Sequence, residues 1–280
     1  MAEPLDATPS DLQQLGSDPP LIDYLRSIYE RRDFALSMAQ GELRAKHMDT
    51  TLGGLWHLLN PVLLTAVYGL VFGLILAGLR PDNFVAYLSI GIFLYSFGQR
   101  CVTSGASSIV SNVGLIRSLQ FPRALLPLAA VLRETLAFGW SAAVIFTVLV
   151  MSGLRPSLSW LLFVPLFGLF ALFSLGASLF VARLTDRARD VQNVLPFVFR
   201  LGFYASGILF PIQSFVDDDR ILALLSVNPY YSFILVARHH LLVEQPFPEL
   251  AWLSVVVWTV GIMLIGALYF RGGEKGYGRG

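Results

Sequence analysis

The sequence predicts an all-α polytopic membrane protein with six transmembrane helices, and three observations predict it. Hydrophobic residues fill 55% of the 280 positions and charged residues 14%, against about 25% charged in a soluble domain. Six apolar runs reach or approach the ~20 residues a helix needs to cross a bilayer. The cationic residues between those runs are divided 13 to 4 across alternate segments. A net charge of +1 leaves no basic face to neutralise phosphates, which excludes a nucleic-acid partner. Cys101 is the single cysteine, so an internal disulfide or multi-cysteine metal site is excluded too.

Taken in order, residues 1–20 carry Glu3, Asp6, Asp11 and Asp18, four prolines and no Lys or Arg. They read as a disordered acidic tail without the basic start and apolar centre of a signal peptide. Residues 21–55 form a cytoplasmic interfacial segment. Within 21–43, Leu21, Leu25 and Ile28 share one helical face while Arg26, Arg31 and Arg32 lie elsewhere. That pattern suits a helix lying in the membrane interface, or a solvated helix packed on another domain.

The transmembrane domain, 56–270, holds spans near 56–78, 84–110, 125–151, 158–182, 191–210 and 249–270. The second is purely apolar only over 84–98, so its helix continues through Gln99 and Arg100 into the small residues Thr103 to Ser108. Small residues let helices approach closely, and Gly69 and Gly73 offer the same device in the first span. Six spans put both termini on one side. The positive-inside rule makes that side the cytoplasm, together with residues 112–124 and the 271–280 tail.

Arg100, Arg133 and Arg200 fall inside spans, where a charge costs roughly 2.5–3.5 kcal/mol at the membrane centre. Arg100 and Arg133 are expected to snorkel to the cytoplasmic interface, and Arg200, at mid-span, to line a hydrated path. Glu134 is the one acid clearly within a span, a partner for Arg133 or Arg200.

Residues 112–127 separate spans two and three. Val113, Ile116 and Leu119 recur at helical spacing, Arg117 and Gln120 take another face, and Pro122 stops the run. This is a short amphipathic helix that either rests on headgroups or docks on a soluble partner. The turn 185–190 is a second compact charged cytoplasmic segment. Residues 211–248 lie outside and read as two short helices folded into the outer surface, the first capped by Asp217, Asp218 and Asp219, the second opened by Asn228-Pro229.

Enzyme chemistry finds little support. The tail Gly272-Gly273-Glu274-Lys275-Gly276 has the composition of a phosphate-cradling loop without its pattern, and reads as flexible. The Asp-x-Asp at 217–219 lies outside, away from cytosolic sugar nucleotides. His239 and His240 are adjacent, about 100° apart on a helix, and do not make a metal pair.

The ordered landmarks resemble the membrane subunit of ABC-2 exporters of the polysaccharide branch, which moves O-antigen, teichoic-acid and galactan chains. Lys46, His47, Thr50, Leu52, Gly53 and Trp56, with Asn60-Pro61 after them, look like that branch's motif at the start of the first span. His47 stands where the family has a tyrosine. Asn112 through Arg123, including Ile116, Arg117, Leu119 and Phe121, looks like its coupling helix. Asp186, Arg187, Arg189 and Asp190 look like a second cytoplasmic contact, and Phe210-Pro211, Asn228-Pro229 and Arg238 follow in family order.

The resemblance implies a homodimer in the bacterial cytoplasmic membrane with two ABC ATPase subunits on its cytoplasmic face. ATP and Mg are then used by those subunits and no cofactor is bound by this chain. A lipid-linked glycan is expected to pass between the two copies, among membrane lipids. Phe93 and Tyr95 in span two, and Phe199, Arg200, Phe203 and Tyr204 in span five, are the candidate path, because aromatic faces stack on sugar CH surfaces. Lipid contact or ordinary packing accounts equally for single aromatics. Another ABC-2 cargo, a lipid or drug, and an integral membrane enzyme of glycan assembly are the competing readings.

Overall fold

A computed structural model describes residues 20–48, 55–75, 81–211, 227–242 and 250–277, and among these all regular structure is helical. Five helices are long and apolar enough to cross a membrane. They are α3 (Trp56–Ile75), α4 (Phe84–Ser108), α6 (Leu125–Met151), α7 (Phe163–Arg187) and α10 (Ala251–Arg271), and a 3₁₀ turn at Leu158–Leu162 leads into α7. α4 is the centre. Leu88, Ile90, Ile92, Phe93, Phe97 and Cys101 are all buried, and α3, α6, α7, α8 (Val191–Ala205) and α9 (Pro229–Leu241) pack around it. A helix covered by protein on nearly every side tolerates Gln99 and Arg100, which explains its broken apolar run.

Close approach is set by small residues. A Cβ on Gly105 of α4 would meet Ser178 of α7, whose hydroxyl donates to the Cys101 carbonyl at 2.9 Å. On α10, a Cβ at Gly266 would collide with the Gly176 carbonyl of α7. Gly69 is different: its nearest neighbour would be Leu88 Cδ1 at 3.9 Å. The first-span glycine therefore marks no close crossing, and Leu63, Val67, Leu70 and Leu74 leave α3 with an exposed apolar face.

The run 191–210 is not one spanning helix. α8 stops at Ala205, and its 15 residues extend about 22 Å, short of the ~30 Å hydrocarbon layer. Gly207 at φ +60° turns the chain, and Ile208 and Leu209 continue buried without helical bonds. Bare carbonyls at that depth need partners. Arg238 supplies them, donating to Gly207 O (2.7 Å), Ile208 O (2.9 Å) and Tyr87 O (3.0 Å) with its guanidinium 3.3 Å from the Tyr87 ring centroid. Arg238 is thus a buried hub on α9 and not the outer loop charge that its sequence position suggests. Asn228 joins the same junction. Its side chain accepts from Tyr230 N to cap α9 and donates to Ala205 O and Ser206 Oγ at the end of α8.

α9 is the second of the two expected outer helices. The first, with Asp217, Asp218 and Asp219, lies outside the described residues, as does the acidic segment 1–19. The N-terminal run divides at Arg31 into α1 (Leu21–Glu30) and α2 (Arg32–Met48). Ala35 of α2 is buried with Leu125 and Ala129 of α6, while Leu21, Ile22 and Leu25 stay exposed on α1.

Candidate functional site

Residues 110–123 project from the end of α4 as a small, tightly held unit. A 3₁₀ turn, Val110–Asn112, leads into α5 (Val113–Ser118), and Asn112 Nδ2 ties the start to Ser108 O at 2.8 Å. The expected helix is shorter than its sequence pattern. It ends at Ser118, and Leu119 is extended and 50% exposed instead of sharing the buried face of Ile116, which is 8% exposed. Arg117 and Leu119 therefore stand together at the exposed tip.

Everything behind that tip is clamped. Arg31 Nη1 donates to Gln120 O at 2.5 Å, and the Phe34 and Phe121 rings lie 5.3 Å apart. Arg123 N donates to Glu274 Oε1 at 2.7 Å, and Tyr24 is buried nearby with Ala124 and Tyr277. Burial raises the Glu274 pKa, opposed by the bond from Arg123 N and by the charges of Arg123 and Arg271. Residues 272–277 are accordingly folded and not the flexible tail their glycines suggest. Tyr277 is 2% exposed, and its hydroxyl donates to Phe270 O at 2.7 Å.

The second predicted contact lies beside the first. Asp186, at the end of α7, feels the charges of Arg123, Arg187 and Arg189. Arg187 lies over the Tyr269 ring at 5.7 Å, and the exposed Asp190 precedes α8. Arg123 of the first segment is thus within electrostatic reach of Asp186 in the second.

Deeper, Arg133 and Arg100 do not snorkel. Arg133 pairs with Glu42 of α2 and with Glu134 (3.0 Å), and also donates to Ser104 Oγ at 2.8 Å. Arg100 Nε lies 3.3 Å from Glu134 Oε2. Glu134 is 1% exposed, so two cations and two anions knit α2, α4 and α6. Both guanidiniums are instead held by carboxylates within the protein. Beside the cluster lies a cavity of about 410 Å³ lined by Glu42, Ser104, Ser107, Ser111, Asn112 and Arg133.

The candidate path residues separate into two groups. Phe93, Tyr95 and Phe199 are core residues of one copy, with Tyr95 Oη donating to Phe199 O at 2.5 Å. Arg200 and Tyr204 are exposed on α8. Phe203, half-buried, has its ring centroid 5.5 Å from that of Tyr68 on α3. Of the motif at the start of the first span, Trp56 opens α3 and is 43% exposed. Lys46 and His47 lie in the last turn of α2, and Thr50, Leu52 and Gly53 are outside the described residues.

Sequence reading missed Tyr24, Arg31, Glu42, Glu274 and Tyr277. The one signal for the last two was an acid and an aromatic set among glycines, where an idle tail needs neither.

Comparison with known proteins agrees with this architecture. The model of the ABC-2 type transporter family matches residues 35–242. The O-antigen export system permease protein RfbA of Myxococcus xanthus is 27% identical over 242 residues, covering 85% of this chain and 93% of the relative. Two permeases of the same name from Klebsiella pneumoniae are 27% and 26% identical over 247 residues, each covering 86% of this chain and 94% of the relative. With five membrane-length helices and a family match over most of its length, the chain belongs to the ABC-2 type transporter family and is an integral membrane transport subunit.

Proposed function

We propose that this permease is the membrane half of an ATP-driven exporter of a lipid-linked polysaccharide, O-antigen- or galactan-like. Two copies assemble in the bacterial cytoplasmic membrane, and each docks an ATPase subunit through Arg117 and Leu119. The carrying observation is the contrast at 112–123: an exposed basic and apolar tip on a base bonded to α1, α4 and the C-terminal residues. A helix floating on headgroups needs no such base, whereas an element that receives force does. Six apolar runs support six crossings and the 13-to-4 charge division supports cytoplasmic termini, with α8 and the Arg238-bonded turn making the fifth crossing. The exposed face of α3 and α8, carrying Tyr68, Arg200 and Tyr204, suits a second copy and a sliding glycan. Likeness to permeases named for O-antigen export supports this cargo over another lipid or a drug.

The test is Arg117→Glu. Reversing one exposed charge perturbs a surface helix by no more than about 0.5 kcal/mol, so expression and insertion should stay normal. ATPase co-purification and export of lipid-linked glycan should both fall. Full export with unchanged ATPase binding overturns the reading.

A further inference from the structure

The six residues that follow α10 hold the 112–123 stretch from a direction that sequence order does not suggest. Gly272 and Gly273 pass directly under Arg183 of α7, which donates to the Tyr269 carbonyl and to Gly272 O (3.2 Å). A Cβ on Gly273 would come within 2.7 Å of Arg183 Nε and 2.9 Å of the Tyr277 hydroxyl. These glycines are there for space, and the segment they form has little freedom. Tyr277 then locks back on α10, its ring 4.8 Å from Phe270. Between the two anchors Glu274 reaches across to Arg123 N at 2.7 Å.

We infer that Glu274 is a positioning residue for ATP-driven export, the centre of a clasp that carries movement of the 112–123 stretch to α7 and α10. This rests on the docking role proposed above for Arg117 and Leu119. The chain itself connects that stretch only to α4 and α6. The α7–α10 pair, joined face to face through Gly176 and Gly266, meets that stretch in the apolar cluster of Ile116, Leu179, Ala182 and Phe270, and Glu274 adds the polar link. Coupling between distant elements can be carried by chains of packed and hydrogen-bonded contacts, and a carboxylate bound to a backbone N–H is a charge-assisted bond, stronger than a neutral one.

The experiment compares wild type, Glu274→Ala and Glu274→Gln as purified permease–ATPase complexes in proteoliposomes. It reads export per ATP hydrolysed and hydrogen exchange at the Arg123 amide. In Glu274→Ala, hydrolysis should persist while export per ATP falls about ten-fold, the scale of one lost charge-assisted hydrogen bond. The Arg123 amide should lose protection. Glu274→Gln keeps a neutral acceptor oxygen and should restore a substantial part of both. A merely structural role would lower the yield of complex and leave export per ATP unchanged. Wild-type coupling in Glu274→Ala overturns the inference whether or not the amide is protected. Should that variant fail to assemble, Tyr277→Phe, which deletes one hydroxyl, must shift coupling in the same direction or the inference falls. Wild-type permease that recruits no ATPase refutes the docking role instead, while the Arg123 amide still reports on the clasp.

Discussion

Removing the Glu134 charge should destabilise the membrane domain by several kilocalories. The carboxylate is 1% exposed and lies 3.3 Å from Arg100 and 3.0 Å from Arg133. At an effective dielectric near 20, one such pair at 3.3 Å is worth roughly 5 kcal/mol of gross attraction, most of it offset by desolvation. Deleting one partner is harsher than deleting both. In Glu134→Gln, Arg100 and Arg133 must share Glu42 alone, leaving a buried net charge of +1. Such uncompensated charges cost about 3–5 kcal/mol. The double variant Arg100→Met/Glu134→Gln restores neutrality with one pair, Arg133 and Glu42, and should recover most of the loss. Unfolding of the purified permease by a denaturing detergent, run over the four-member cycle, gives the coupling energy directly. A loss below about 1 kcal/mol for Glu134→Gln, or additivity in the cycle, would refute the account of a charge-balanced buried cluster.

Three further outcomes are expected. Gly266→Ala places a methyl on the Gly176 carbonyl and should cost about 1–3 kcal/mol by forcing α7 and α10 apart; Gly261→Ala, with open space around it, should change stability by under about 0.5 kcal/mol, and equal effects would show that the crossing is not tight. Burial raises the Glu274 pKa above its ordinary 4.5, so the undocked tail loses its proton first as pH rises; docking is fully supported below about 4.5 and weakens as pH rises through the docked pKa. After correction for intrinsic exchange, Arg123 amide protection should then be greater at acid than at neutral pH, and flat in Glu274→Gln; the opposite trend would count against a buried carboxyl. In a Cys101→Ser background, a cysteine at position 217 should react with an impermeant thiol reagent in intact cells and one at 187 should not, the reverse pattern inverting the orientation.

The membrane helices were legible because each is written locally. The apolar runs over 125–151 and 249–270 needed only counting, and α4 was traced through Gln99 and Arg100 to Ser108 by its small residues. What escaped depended on partners far along the chain. Glu134, next to Arg133, was readable as a partner, but Arg133 and Glu42 are 91 residues apart, so nothing near Arg133 pointed to the second carboxylate. Gly272 and Gly273 read as freedom, whereas they serve the space needed by Arg183. Leu119 obeyed the helical period, yet the last helical residue is Ser118, set by how Gln120 and Arg123 are held from α1 and the C-terminal residues. At 112–123 the residue types were readable from sequence, and the grip on them was not.

The junction closed by Arg238 bears on how the protein is made. The Ile208 carbonyl accepts from a guanidinium 30 residues later in the chain, and elongation at roughly 5–20 residues per second puts that partner about 1.5–6 s behind it. During this interval α8 is too short to span and its trailing carbonyls lack their native donor, so the segment cannot settle in lipid alone. Stable insertion of the second half of the permease is therefore expected to need α8 and α9 together. Losing Arg238 would then be felt first as failed biogenesis, before any effect on transport could be observed.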